Sequence, residues 1–187
     1  SLKTEKPVRE INMQLLNEHT EAKDIPALLS PLLAGHDVGM LSEAGCPGIA
    51  DPGAALAESA HRRGIRVSPL VGPSSILLSL MASGFNGQQF TFLGYLPSDK
   101  NARITKLKEI EKRSQQRKET QIFIETPYRN QHMLEDILAH CGDATKLCVV
   151  SNVSLENELI ISKPIAEWKK MGPLDLHKQP TVFLILA

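Results

Sequence analysis

The sequence lacks an excess of charge of either sign, because 21 basic residues balance 21 acidic residues over 187 positions. Any surface for a polyanion such as nucleic acid therefore has to come from local clustering of Lys and Arg. Aromatic residues are also few, at 4% of the chain, which limits stacking against bases. Composition alone does not indicate a nucleic-acid-binding protein.

Cysteine pairs and long apolar runs are missing as well. The three cysteines form no CxxC motif and are odd in number, which fits a reducing cytoplasm better than a disulfide framework. The six histidines have no metal-site spacing, so we expect no metal. Apolar runs such as 76–78 are too short to span a bilayer, and no signal-peptide pattern is visible. We expect a cytoplasmic protein with no membrane partner.

The stretch Leu41–Gly53 concentrates glycine and proline after a short apolar run, which predicts a strand over 37–42. Asp51 and Pro52 have the pattern of an N-cap followed by the first helical residue. A strand that leads through a Gly-rich loop to a helix N-terminus is a common layout for holding a small anionic group. An ordinary strand–turn–helix connection has the same pattern, and this alternative stays open.

A predicted strand that leads to a helix start with proline occurs twice more, at Gly72-Pro73 and at Thr126-Pro127. In α/β folds the ligand lies beyond the carboxyl ends of the strands, so these three ends could share one cleft. The alternative is that each cap only starts a helix, as every α/β protein requires.

Hydrophobic periodicity predicts an α/β protein with two domains, 1–86 and 87–187, separated at the turn-rich segment 84–89. The predicted helices are 8–19, 24–34, 52–63, 73–83, 100–118, one that starts at 126–127 and a short one around Trp168. The predicted strands are 37–42, 65–71, 90–96, 121–125, 146–152, 158–162 and 181–187, with 146–152 and 158–162 as a candidate hairpin and the last strand central in its sheet.

Four stretches together resemble the tetrapyrrole methylase family of S-adenosylmethionine-dependent methyltransferases. They are Leu41–Gly53, Pro69–Ser75, Phe90–Pro97 (FTFLGYLP) and Phe123–Arg129 (FIETPYR). The branch that the chain resembles most contains the 2′-O-methyltransferases of small-subunit ribosomal RNA. The resemblance implies two α/β domains with the cofactor in a cleft between them, the first domain being incomplete in this chain, and it implies a homodimer.

The resemblance also implies a set of cofactor-binding residues. Cys46 stands where many members of the family have the aspartate of a Gly-Asp-Pro loop, so a carboxylate contact is not expected there. The implied positions for S-adenosylmethionine are Ser42, Gly45, Cys46, Pro47, Ile49, Ser74, Ser75, Tyr128, Asn152, Pro180 and Thr181.

One feature of the family has no counterpart ahead of Lys3, namely the opening strand and short Pro/Gly loop that complete the cleft. We therefore keep a second class of function open beside an enzyme: a non-catalytic fragment or binding module that retains the fold.

Methyl transfer to a ribose hydroxyl benefits from a base or from a positive group, because the hydroxyl is a weak nucleophile. Glu43 and Glu125 stand at the ends of predicted strands and face the expected cleft. Our hypothesis is that one of them is the base or a substrate anchor. The alternative is that each accepts hydrogen bonds from nearby loop N–H groups.

The methyl acceptor is either RNA or a tetrapyrrole. The predicted helix 100–118 carries eight Lys or Arg residues, which favours RNA, although a solvated helix face has the same composition. A tetrapyrrole would use the same cleft and would need an apolar floor with a few cations for its carboxylates.

Overall fold

The computed structural model describes residue 7 and residues 10–42 and 45–187. The chain divides into two compact units, Ser1–Pro73 (unit 1) and Ser74–Ala187 (unit 2). The predicted domain boundary at 86/87 stays a prediction. The division at Pro73/Ser74 arises because the helix that follows Ser74 packs on the sheet of unit 2.

Unit 1 contains two short helices in its described residues, α1 (Ile25–Leu33) and α2 (Ala54–Arg62). Both were predicted, and they share a small apolar cluster in which Ile25 and Leu29 of α1 meet Ala60 of α2. Burial of these side chains is the main stabilising contact that the described part of unit 1 offers.

The strands predicted at 37–42 and 65–71 are absent from the described residues of unit 1. Their apolar side chains are instead exposed; Leu41, Leu70 and Val71 are 83%, 92% and 107% exposed. A strand needs a neighbour that accepts and donates its backbone hydrogen bonds, and these segments have no such ladder. The helix predicted at 8–19 is likewise absent over 10–19.

Unit 2 is built on one mixed sheet of five strands: β1 (Phe90–Tyr95), β2 (Thr120–Ile124), β3 (Lys146–Ser151), β4 (Leu159–Pro164) and β5 (Thr181–Leu186). The order is β1-β2-β5-β3-β4, so the prediction that the last strand is central is confirmed. β1 and β2 are parallel, whereas β5 is antiparallel to β2 and β3. β3 and β4 form the predicted antiparallel hairpin.

Helices cover both faces of this sheet because its central strands are apolar on both sides. On one face, Phe123 and Phe183 stack with ring centroids 5.7 Å apart, beneath α4 (Lys100–Arg117) and α5 (Asn130–His140). On the other face, α3 (Ser75–Ser83) packs through Ile76 and Leu80. The short α6 (Ile165–Trp168) buries Trp168, whose Nε1 donates to the Leu147 carbonyl at 2.9 Å.

The three predicted cap-and-proline helix starts each lie two or three residues too early. α2 begins at Ala54, α3 at Ser75 and α5 at Asn130, and none has a side-chain cap bond. The prolines belong to the turns that lead into the helices: at α5, for example, the Arg129 N–H donates to the Thr126 carbonyl at 2.9 Å. Among the helices of the described residues, only α4 has a side-chain cap: Asp99 accepts from the Ala102 N–H at 2.8 Å.

Among the residues that the structure describes, no helix combines the length and the apolar character needed to cross a membrane.

A buried ion pair joins α4 to α5, and we predict that it is a stability determinant. Arg103 and Asp136 have side chains 7% and 8% exposed, and Arg103 Nη2 lies 2.6 Å from Asp136 Oδ2. Asp136→Asn leaves the guanidinium buried without its counter-charge, so we expect a loss of about 3–5 kcal/mol in the free energy of unfolding. Urea unfolding followed by the fluorescence of Trp168 measures it.

The matched control is Glu109→Gln, which breaks the exposed Lys106–Glu109 pair on the same helix. That change should cost about 1 kcal/mol or less. Equal losses in the two variants would contradict the importance of the buried pair.

The three cysteines should differ in reactivity. Burial, assisted by the charge of Glu111, raises the pKa of Cys141 to about 12, and burial raises the pKa of Cys148 to about 11. The thiolate is the reactive form, so at about pH 8 both should resist iodoacetamide while half-buried Cys46 is modified first. Peptide mass spectrometry measures the rates, with the unfolded chain as control. Equal rates for all three in the folded chain would contradict this prediction.

Candidate functional site

Most of the predicted site residues of unit 2 lie at one end of its sheet. This is the end at which the mutually parallel strands β1, β2 and β3 finish, and we call it the carboxyl edge. β2 ends there at Ile124, which pairs with Val182 of β5. β3 ends there at Ser151, which pairs with Thr181. Because β5 is antiparallel to both neighbours, its first two residues, Thr181 and Val182, lie beside the last residues of β3 and β2. The loops after β2 and β3 therefore meet the loop before β5.

Gln179 joins these loops through hydrogen bonds. Its carbonyl accepts from Asn130 Nδ2 at 2.6 Å and from Thr181 Oγ1 at 3.0 Å. Its side-chain Oε1 accepts from Ser151 Oγ at 3.0 Å and from Asn152 Nδ2 at 3.1 Å. One residue thus fixes the start of α5, the end of β3 and the start of β5. Gln179 was not predicted from the sequence, since its partners Asn130, Ser151 and Asn152 lie 27–49 positions away in the chain.

Asn152, Pro180 and Thr181 were predicted as separate cofactor positions, and the structure brings them together. The Asn152 N–H donates to the Pro180 carbonyl at 3.0 Å. Asn152 has a left-handed backbone with φ 51°, a conformation that Asn tolerates better than most residues. The chain therefore turns sharply out of β3, and the Asn152 side chain is directed back to Gln179.

Glu125, a predicted catalytic residue, has a side chain that is 0% exposed. Its Oε1 accepts from the Thr126 N–H at 2.6 Å and from Arg129 Nε and Nη2 at 3.1 and 2.7 Å. This arrangement matches the alternative that Glu125 accepts a loop N–H. The carboxylate also fixes the guanidinium of Arg129, whose side chain is 36% exposed.

Tyr128 lies at the rim of the same edge and is 66% exposed. Its ring meets the ring of His177 edge-on, with centroids 6.1 Å apart. The Lys178 N–H donates to the Pro127 carbonyl at 3.0 Å, so the segments 125–129 and 175–179 are tied together here.

Ser74 and Ser75 lie at the amino end of α3. The contacts at the carboxyl end of this helix show which end of the sheet they are near. The Ser83 carbonyl accepts from Ser162 Oγ at 2.7 Å, and the following Asn86 carbonyl accepts from Thr120 Oγ1 at the amino end of β2. The amino end of α3 therefore points towards the carboxyl edge. Ser74 makes no side-chain cap bond, so its hydroxyl does not occupy the helix N–H groups.

In unit 1, the Gly/Pro loop folds on itself in a series of tight turns. The Ile49 N–H donates to the Cys46 carbonyl at 3.1 Å, and the Gly48 N–H donates to the Pro52 carbonyl at 3.3 Å. Gly53 has φ 140°, a conformation that L side chains rarely adopt. The Cys46 thiol lies 3.3 Å from the Pro73 carbonyl.

The remaining predicted residues of this loop are distributed as follows. Gly45 and Ile49 are exposed, whereas Ser42 and Pro47 are half-buried. Glu43, the other catalytic candidate, lies outside the described residues.

The basic face predicted for 100–118 is smaller than its eight cations indicate. Arg103 is buried against Asp136, Arg113 pairs with Glu119 at 3.0 Å and Lys106 pairs with Glu109 at 2.8 Å. The exposed cations without an ion pair in the described structure are Lys100, Lys108, Lys112, Arg117 and Lys118.

Three side-chain oxygens around the start of α5 are buried without a hydrogen-bond partner in the described part of the chain: Glu125 Oε2, Asn130 Oδ1 and Gln131 Oε1. Unpaired buried acceptors are costly, so each is suited to a hydrogen-bond donor: a water at the enclosed Glu125 carboxylate, and a ligand or a water at the two side-chain amides. The amino and hydroxyl groups of S-adenosylmethionine are donors of this kind, so the side-chain amides of Asn130 and Gln131 are compatible with that cofactor. No group of three or more His, Cys, Asp or Glu in the described residues could hold a metal ion.

Comparisons with solved structures place the fold. The chain matches the methyltransferase CobJ with a TM-score of 0.59 at 18% identity, covering 90% of this chain and 72% of that one. It matches diphthine synthase with a TM-score of 0.53 at 15% identity, covering 90% and 68%. At these identities the likeness concerns the fold alone, and it confirms the predicted α/β class.

Three curated relatives are named ribosomal RNA small subunit methyltransferase I. The protein of Vibrio cholerae is 36% identical over 152 residues, covering 81% of this chain and 51% of the relative. The protein of Escherichia coli O157:H7 is 34% identical, with 84% and 54% covered. The protein of Thermotoga maritima is 35% identical, with 84% and 70% covered. The chain spans about half the length of the first two.

The profile of the Tetrapyrrole (Corrin/Porphyrin) Methylases matches residues 3–169, which is most of the chain. Together with the relatives, this match confirms the family indicated by the Gly/Pro loops. The chain belongs to the tetrapyrrole methylase family.

Proposed function

We propose that this chain carries out S-adenosylmethionine-dependent methyl transfer to a ribose 2′-hydroxyl of small-subunit ribosomal RNA. The observation that carries the proposal is the similarity to the methyltransferases above, at 34–36% identity over 81–84% of this chain. A cytoplasmic homodimer, which the family resemblance implies, is part of the same proposal.

The polar residues at the carboxyl edge of unit 2 support the proposal that the cofactor binds there. Asn130, Asn152 and Thr181 would hold the cofactor there, because Gln179 already fixes their side chains before a ligand arrives. S-adenosylmethionine supplies the methyl group on a sulfonium. In unit 2, Ser74 and Ser75 would contribute the start of α3. The cofactor positions that the family resemblance implies for unit 1, namely Ser42, Gly45, Cys46, Pro47 and Ile49, are kept as predictions for that unit by itself.

Glu125 is better suited to positioning than to proton abstraction. A general base has to reach the substrate, and this carboxylate is enclosed and already bonded to Arg129 and to the Thr126 N–H. We therefore assign Glu125 the role of substrate anchor acting through Arg129. Of the two roles that the sequence suggested, base or substrate anchor, this is the second. Glu43 remains the candidate base.

The direct test is transfer of labelled methyl groups to small-subunit RNA, together with calorimetric titration of S-adenosylhomocysteine. We expect binding and RNA labelling. Thr181→Val removes the hydroxyl bonded to the Gln179 carbonyl and should weaken S-adenosylhomocysteine about tenfold. Thr105→Val, which removes an exposed hydroxyl on α4, is the control. Absence of binding to the unaltered chain would contradict the proposal and favour the non-catalytic alternative.

Glu125→Gln separates the two roles of that residue. If Glu125 positions Arg129, the KM for RNA should rise about tenfold with kcat changed much less, and the pH profile of kcat should keep its acidic limb. Glu43→Gln in the same assay should lower kcat by about a hundredfold or more if Glu43 is the base. A fall in kcat at constant KM for Glu125→Gln would contradict the positioning role.

A further inference from the structure

A group of four side chains at the rim of the carboxyl edge is not used by the cofactor site as described above. We call Tyr128, Arg129, His177 and Lys178 the rim cluster. Their segments are tied by the hydrogen bond from Lys178 N–H to the Pro127 carbonyl and by the edge-on contact of the two rings.

Both rings of the rim cluster are exposed. Tyr128 is 66% exposed and His177 is exposed too. By contrast, Asn152 and Thr181 are 7% and 4% exposed. A cofactor site buries most of its ligand, so a ring that is this exposed is better placed for a larger ligand that stays partly in solvent when bound.

The cluster is held in place before any ligand binds. Asn130 Nδ2 bonds the Gln179 carbonyl at 2.6 Å directly behind it, and Glu125 fixes two nitrogens of Arg129. Lys178 has a left-handed φ of 58°, which sets it at a turn. A preformed surface loses little conformational entropy when it binds a partner.

The charges of the rim cluster favour an anion. Lys178 makes no ion pair within the described residues, and Arg129 keeps one guanidinium nitrogen, Nη1, that does not bond Glu125. The opposing charges nearby are Glu125, which pairs with Arg129, and Asp175, which accepts from the His177 N–H at 2.8 Å. Lys178 is therefore the cation of the cluster that no carboxylate of the described residues pairs with. An aromatic face beside two cations matches a ligand that has a flat ring system next to anionic groups.

We propose that the rim cluster binds a single-stranded segment of the acceptor RNA, with a base stacked on Tyr128 and phosphates at Arg129 and Lys178. This inference rests on the proposed function and deepens it, because Tyr128 then belongs to the RNA site and not to the cofactor set. A carboxylated tetrapyrrole has the same combination of a flat ring and anionic groups. The experiment therefore has to distinguish RNA from a tetrapyrrole as the ligand of the rim cluster.

The stacking step is tested by fluorescence anisotropy with a labelled single-stranded oligoribonucleotide of small-subunit sequence. Tyr128→Ala should raise the Kd for RNA about tenfold, and Tyr128→Phe, which keeps the ring, should leave it unchanged. Phe90→Ala is the aromatic control, since Phe90 is 39% exposed at the opposite, amino edge of the sheet. S-adenosylhomocysteine affinity should be the same in all four proteins.

The phosphate step is tested by the salt dependence of the same binding. Lys178→Gln should reduce the slope of log K against log salt by about 0.7. Lys163→Gln is the control and should leave the slope unchanged, because it removes an exposed cation of β4 that lies opposite Leu147, near the amino end of β3.

Four outcomes would overturn the inference. The first is that Tyr128→Ala loses as much affinity for S-adenosylhomocysteine as for RNA. The second is that RNA binding is lost in Phe90→Ala or Lys163→Gln and kept in the rim-cluster variants. The third is an unaltered chain that binds a carboxylated porphyrin but not RNA. The fourth is no RNA binding with S-adenosylhomocysteine binding intact, which would leave the cofactor part of the proposed function standing. If the unaltered chain does not bind S-adenosylhomocysteine, the proposed function itself is overturned.

Discussion

The antiparallel insertion of β5 between β2 and β3 is the constraint on which unit 2 depends. It completes the core, because Phe183 stacks on Phe123 on one face while Val182 and Leu184 meet α3 on the other. It also brings the polar segment before β5 to the ends of two strands that are far away in the sequence. The same strand therefore produces the hydrophobic core and the polar edge.

The polar side chains at the carboxyl edge are held in place by hydrogen bonds to one another. Gln179 links α5, β3 and β5, and Glu125 orients Arg129. Three buried oxygens nevertheless remain without a partner in the described residues. A preorganised site with spare acceptors can bind a donor-rich ligand without first breaking its own hydrogen bonds, which is the physical basis of the function proposed for this family member.

Local patterns predicted unit 2 well, since each of its strands is an apolar run that finds a partner in the sheet. The same patterns failed at 37–42 and 65–71, where apolar sequence alone does not supply a neighbouring strand. Helix starts were predicted too early because a proline suits a turn as well as a first helical residue. Asn152, Pro180 and Thr181 came from the family resemblance, whereas Gln179 depends on contacts between distant residues and has no local signal.

The central claim is that the carboxyl edge of unit 2 is the ligand-binding edge of the sheet. Titration of S-adenosylhomocysteine into the ¹⁵N-labelled chain, followed by amide chemical shifts, tests it most directly. The account predicts saturable shifts for Asn152, Gln179 and Thr181, with the amides of Gln89 and Phe90 at the amino edge unchanged. Shifts confined to the amino edge, or no shifts at high ligand concentration, would contradict it.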